Sequence, residues 1–104
     1  MIETTYQNKT LTAFLSGDID HHNAGEIRAR IDGQAENLHP KKLELDFAKV
    51  KFMDSSGIGL IMGRYRQMSL LGGRLEVVNV PKNLERLMSL SGISSLGVLK
   101  SQKN

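Results

Sequence analysis

Two hydrophobic periods alternate along this chain. Ile2, Thr4 and Tyr6, then Leu11, Ala13 and Leu15, recur every second residue, the mark of strands with one buried face. The polar pair Asn8-Lys9 between them reads as a tight turn, so the first two strands form a hairpin. Leu43, Leu45 and Phe47 alternate with Glu44 and Asp46 and give a third strand. A fourth, Leu75 to Val80, stops at Pro81, which has no N–H for a ladder. Between these runs the period lengthens to that of a helix. Ala24, Ile27, Ile31, Ala35 and Leu38 form one apolar stripe, with Asp20 or Asn23 as its cap. From Ser56, a second stripe carries Ile58, Ile61, Met62, Tyr65, Met68 and Leu71 and ends at Gly72-Gly73. A third helix runs from about Pro81 through Leu84, Leu87 and Met88 to Ser91-Gly92. Val98-Leu99 reads as a short last strand, and Lys100 to Asn104 as a frayed tail.

The order β-β-α-β-α-β-α predicts an α/β domain with a mixed sheet of four or five strands, antiparallel at the hairpin and parallel beyond it. Strands covered on both faces are apolar almost throughout. These alternate, so the helices are expected mainly on one face. At 104 residues, without repeats or low-complexity linkers, residues 1–104 are read as one domain.

Composition narrows the chemistry. There are no cysteines, which removes disulfides, thiol catalysis and thiolate metal sites. No stretch approaches the roughly 18 apolar residues of a membrane span, and the first residues have neither the basic nor the apolar region of a signal peptide. The expectation is a cytoplasmic protein with no membrane contact. Net charge is +3, but the cations are scattered and no aromatics are interleaved with them, so nucleic-acid binding is not expected. Nothing argues for an obligate oligomer, and the free protein is expected as a monomer.

The most informative stretch is Phe52-Met53-Asp54-Ser55-Ser56-Gly57-Ile58-Gly59. It sets a carboxylate and two hydroxyls where a strand gives way to a helix, whose first N–H groups lack intrahelical partners. Asp and Ser are favoured caps at such an end, and an anion is well received there. One cap suffices, so the surplus hydroxyl is either redundant or presented for modification. Other readings fit less well. A nucleophile elbow needs a glycine where Met53 stands, and Gly57, Gly59 and Gly63 fit neither a dinucleotide fingerprint nor a Walker loop. Asp20, His21 and His22 have no further ligands at metal-site spacing. Asp18, Asp20, His21 and His22 do follow a strand, as one rim of a binding surface would. Gly59 and Gly63, four apart, share a helical face that either packs closely on the protein's own sheet or admits a partner.

Taken in order, Asp54-Ser55-Ser56-Gly57-Ile58-Gly59 with Gly63-Arg64-Tyr65, Gly17-Asp18-Ile19-Asp20-His21-His22 and Ser89-Leu90-Ser91-Gly92-Ile93 resemble the STAS-domain anti-sigma factor antagonists, the first loop most like that of the sporulation branch. The resemblance spans nearly the whole chain. It implies a protein that is not an enzyme and needs no cofactor. Such proteins, when unphosphorylated, bind an anti-sigma factor that is also a serine kinase, and so release a sigma factor. The kinase uses ATP to phosphorylate the serine after the motif's aspartate, here Ser55, and a PP2C-type phosphatase reverses this. Asp18, Asp20, His21, His22, Asp54, Ser56, Gly57, Gly59 and Gly63 are then expected on the partner-binding surface. The alternative within the family is a STAS domain of another partner-switching pathway, a general stress regulator or stressosome-type scaffold.

Overall fold

The computed structural model describes residues 1–100. The expected frayed tail, apart from Lys100, lies outside the described residues. The elements are β1 (Ile2–Gln7), β2 (Thr10–Ile19), α1 (Ala24–Leu38), β3 (Lys42–Met53), α2 (Ser55–Leu70), β4 (Arg74–Val78) and α3 (Lys82–Leu90), followed by a 3-10 turn at Ile93–Leu96. The sheet order is β1-β2-β3-β4, with β1 antiparallel to β2 and the remaining pairs parallel. Asn8 and Lys9 close the hairpin with φ of 53° and 62°. Two successive left-handed residues match the twist of the strands they join, which is why a two-residue loop suffices.

β3 is much longer than the alternation of Leu43, Leu45 and Phe47 indicates. Beyond Phe47 the period is broken by the exposed Ala48 and Lys49, yet Val50 and Met53 return to the core. Their partners lie on the far half of β2, in the pairs Gly17↔Val50, Asp18↔Phe52 and Ile19↔Met53. The register shifts on either side of Ser16 and Gly17 are the reason simple alternation misses this half. Gly17 takes φ +79°, a conformation that a residue with a Cβ enters at a cost.

One core holds the elements together. Leu11, Ala13 and Leu15 of β2, Leu43, Leu45 and Phe47 of β3, and Leu75 and Val77 of β4 join Ile27 and Ile31 of α1, Ile61 and Met68 of α2, and Leu84 and Met88 of α3. The strand residues between them stay outside it, Phe14 with 42% of its surface exposed. Glu44 is buried among these alternate positions, with Lys42 Nζ 3.4 Å from Oε2 and the Thr12 hydroxyl donating to Oε1 at 3.2 Å. The helices thus cover one face, as the alternation implied.

Several expectations need correction. On α2, Met62, Tyr65 and Leu71 are exposed, whereas Leu60 and Arg64 are buried. The helix packs on α1 as well as on the sheet, and Arg64 Nε lies 3.0 Å from Asp32 Oδ1 of α1. A stripe drawn through apolar residues alone cannot include that arginine. Leu38 ends α1 partly exposed. Pro81 stands before α3, not in its first turn. Val98-Leu99 supplies one parallel bridge, Val77↔Leu99, held where Val77 N–H donates to Val98 O at 2.7 Å and Lys100 N–H to Val77 O at 3.0 Å.

The stop of α2 follows its glycines. Gly72 is left-handed at φ +79°, and Gly73 N–H donates to Met68 O at 2.8 Å. A Cβ on Gly73 would stand 2.8 Å from the backbone oxygen of Lys41, which cannot move without disturbing the start of β3. Gly73→Ala is expected to cost about 1–3 kcal/mol, read as a lower urea midpoint. An unchanged midpoint would show that the turn relaxes freely.

Candidate functional site

Because β2 and β3 run parallel, their carboxyl ends open on the same edge, and the chain that follows each is brought side by side. The junction is sealed where Asp54 N–H donates to Ile19 O at 3.1 Å. On the β2 side, the turn from Asp20 to Asn23 is braced by its own side chains. Asp20 Oδ1 accepts from the backbone N–H of His22 at 2.9 Å and of Asn23 at 3.3 Å. Asn23 Oδ1 accepts from Asp20 N–H at 3.0 Å, and Asn23 Nδ2 donates to Asp18 O at 2.7 Å. Neither side chain therefore caps α1 as expected. The competition that makes Asp and Asn good turn residues has been won by the loop.

This bracing holds His21 and His22 outward. Their side chains are 72% and 79% exposed and their rings lie 4.0 Å apart, tilted by 37°. His21 Nδ1 is 3.8 Å from Asp54 Oδ2, and His22 Nδ1 is 3.8 Å from Asp20 Oδ1. Pairs so exposed add little stability and are easily redirected to another partner.

On the β3 side, α2 begins at Ser55 and Asp54 is its N-cap, with Oδ1 accepting from Ser56 N–H at 2.8 Å. That backbone donor is the main reason the Asp54 carboxyl is held below its ordinary pKa. Partial burial opposes it, and the Ser56 hydroxyl and the backbone and charge of His21 add to it. Ser55 stands in the first helical position, exposed, and its hydroxyl takes no hydrogen bond among the described residues. The cap and the free hydroxyl belong to different residues.

The glycines divide by role. Gly57 is buried, and a Cβ there would overlap the Met53 side chain and touch Ile19 Cγ2 at 3.5 Å. It seats the helix start on the ends of β2 and β3, so its expected place on a partner-binding surface is corrected. At Gly59 and Gly63 a Cβ would meet nothing within 4 Å. Packing on the protein's own sheet, one of the two readings of that face, is thereby ruled out. Both glycines line a groove of about 330 Å³ between α1 and α2, together with Ser56, Arg28 and Arg64.

Asp20, His21, His22, Asp54, Ser55 and Ser56 thus gather on one edge, Gly59 and Gly63 continue from it along α2, and Asp18 lies at the exposed end of β2. Three residues escaped the sequence reading. Phe52, 53% exposed beside Asp18 in the sheet, carried a signal, since alternation with the buried Met53 turns it outward. Arg64 stood in the Gly63-Arg64-Tyr65 motif without being read as a site residue and Arg28 carried no signal, because only the packing of α1 on α2 brings the two together.

A family description, STAS domain, matches residues 1–102. The anti-sigma F factor antagonist of Paenibacillus polymyxa is 34% identical over 92 residues, 88% of this chain and 79% of that protein. The chain belongs to the STAS-domain anti-sigma factor antagonist family. Among solved structures, SpoIIAA in its unphosphorylated form matches with a TM-score of 0.87 at 26% identity, covering all of this chain and 90% of that one. The phosphorylated form of SpoIIAA from Bacillus matches at 0.79 and 26% identity, covering all of this chain and 93% of that one. STAS antagonists are regulatory binding proteins, and this chain is not an enzyme. No helix among the described residues is long and apolar enough to cross a membrane.

A carboxyl whose folded pKa is depressed contributes its full stability above the unfolded-state value of about 3.9 and loses it as the pH falls through the lower folded value. Asp54→Asn keeps a cap of similar rank but has no proton to take up. Urea midpoints followed from about pH 7 to about pH 2 are expected to fall more steeply for the wild type than for this variant. Parallel curves would overturn the depressed carboxyl. Gly57→Ala is expected to lose about 1–3 kcal/mol by the same assay, through its overlap with Met53.

Proposed function

We propose that this protein is the unphosphorylated-state ligand of a cytoplasmic anti-sigma factor that is also a serine kinase, and that binding frees the sigma factor held by that kinase. The observation that carries this reading is the Ser55 hydroxyl: exposed, without a hydrogen bond among the described residues, in the first turn of α2 behind an aspartate cap that does not need it. In the proposed cycle the kinase transfers the γ-phosphoryl group of ATP to Ser55 Oγ. The Oγ–P bond forms, the bond to the β-phosphate oxygen breaks, ADP departs and the hydroxyl proton is released. ATP serves the kinase, and this chain needs no cofactor of its own. A PP2C-type phosphatase would hydrolyse the phosphoserine and return the protein to its binding state.

Asp18, Asp20, His21, His22, Asp54, Ser56, Gly59 and Gly63 form the docking surface in this proposal, with Gly57 behind it. Phosphate at Ser55 adds about −1.5 to −2 charges at pH 7 at a helix end that favours anions, so the fold should persist while the docked partner is expelled by bulk and charge. The likeness to SpoIIAA in both its unphosphorylated and its phosphorylated form supports this separation of fold and binding. The braced turn with two histidines and the named relatives favour the sporulation branch over a stress-response branch.

Incubation with ATP and the anti-sigma kinase of the same genome, followed by peptide mass mapping, is expected to place phosphate on Ser55 and nowhere else. Ser55→Ala should hold the kinase constitutively in a pull-down that contains ATP, while Ser55→Asp should bind weakly. Phosphate on another residue, or equal binding by the two variants, would overturn the reading.

A further inference from the structure

The α1–α2 groove contains a charge arrangement that the helix packing alone does not explain. Arg64 lies along its floor with only 8% of its side chain exposed. Its Nε is 3.0 Å from Asp32 Oδ1, but the N–H is not aimed at that oxygen, so the contact is an ion pair without an aligned hydrogen bond. Nη1 is buried with no acceptor at all. A buried charged donor left without an acceptor is costly, and native interiors seldom keep one without a use. Arg28 stands on the α1 wall, close enough that its like charge presses on Arg64, and makes no ion pair of its own among the described residues. The lining of this groove thus holds two guanidinium groups and no carboxylate, and is net positive.

The opposite wall is bare backbone. Gly59 and Gly63 leave the space above α2 open, and Gly25 does the same on α1. Each of these glycines costs its helix about 1 kcal/mol against alanine, and none is needed for contacts within the protein. Ser56 lines the same groove, so its mouth adjoins the residue after the proposed phosphorylation site.

We infer that the groove between α1 and α2 is a recognition pocket for an acidic side chain of the docking partner, with the glycine wall admitting the chain and Arg64 and Arg28 holding its carboxylate. The inference rests on the partner-binding reading above and adds to it the chemistry of one contact. A carboxylate seated over Gly59 and Gly63 brings a counter-charge to the two arginines that line the groove. Guanidinium groups suit this task because their planar donors match a carboxylate in pairs.

The test measures affinity for the anti-sigma kinase of the same genome, by titration calorimetry without ATP, alongside the melting temperature of each free variant. Gly63→Ala is expected to raise the melting temperature by a few degrees, since the helix gains a better former with nothing in its way, yet to weaken kinase binding by about tenfold or more. Gly33→Ala, on an open face of α1 away from the groove, should raise the melting temperature alike and leave affinity unchanged. Arg28→Gln should weaken binding about tenfold and flatten its dependence on salt. If Gly63→Ala and Arg28→Gln bind like the wild type while Ser55→Asp does not, the pocket is overturned and the phosphorylation switch stands. If the wild type itself fails to bind the kinase, both fall.

Discussion

The parallel pairing of the far halves of β2 and β3 is the constraint on which the rest depends. Ile19 opposite Met53 aligns the two strand ends, and the hydrogen bond from Asp54 N–H to Ile19 O closes the seam between them. Without that register the turn at Asp20 to Asn23 and the start of α2 would lie on different levels. His21 would then have no carboxylate at Asp54 to face. Gly57 belongs to the same constraint, since the close seat of α2 on these strand ends leaves no room for a Cβ beside Met53.

Structure and signalling are divided among neighbouring residues of one short segment. Asp54 satisfies the helix end, Gly57 fixes its distance from the sheet, and Ser55 is left with no structural duty. The same division recurs in the loop across the seam, where Asp20 and Asn23 hold the turn and the side chains of His21 and His22 are left exposed. A binding surface built this way can vary its exposed members without a change in the backbone that carries them.

Much of this was legible in the chain. Period-two and helical spacing placed every main element, and the alternation of Leu43-Leu45-Phe47 with Glu44 and Asp46 correctly left one sheet face without helices. The Asp-Ser-Ser segment announced both a cap and a spare hydroxyl. What stayed hidden was what depends on two segments at once. The second half of β3 is held by a shifted register that breaks the period. The burial of Arg64 depends on Asp32, on a different helix and 32 residues earlier in the chain. Whether Asp20 and Asn23 would serve the helix or the loop was a contest between nearly equal hydrogen bonds, which residue type alone does not decide.

One consequence of the topology reaches beyond any single side chain. β2, β3 and β4 all run the same way, and each is followed by a helix that starts near the same edge of the sheet. Three aligned peptide-dipole arrays thus begin side by side, and their positive ends reinforce one another. The field they set up is carried by the backbone and has no proton to lose, so it lasts as long as the fold does. Three aspartates, Asp18, Asp20 and Asp54, stand at that edge, and the folded backbone itself supplies part of the potential that keeps them together.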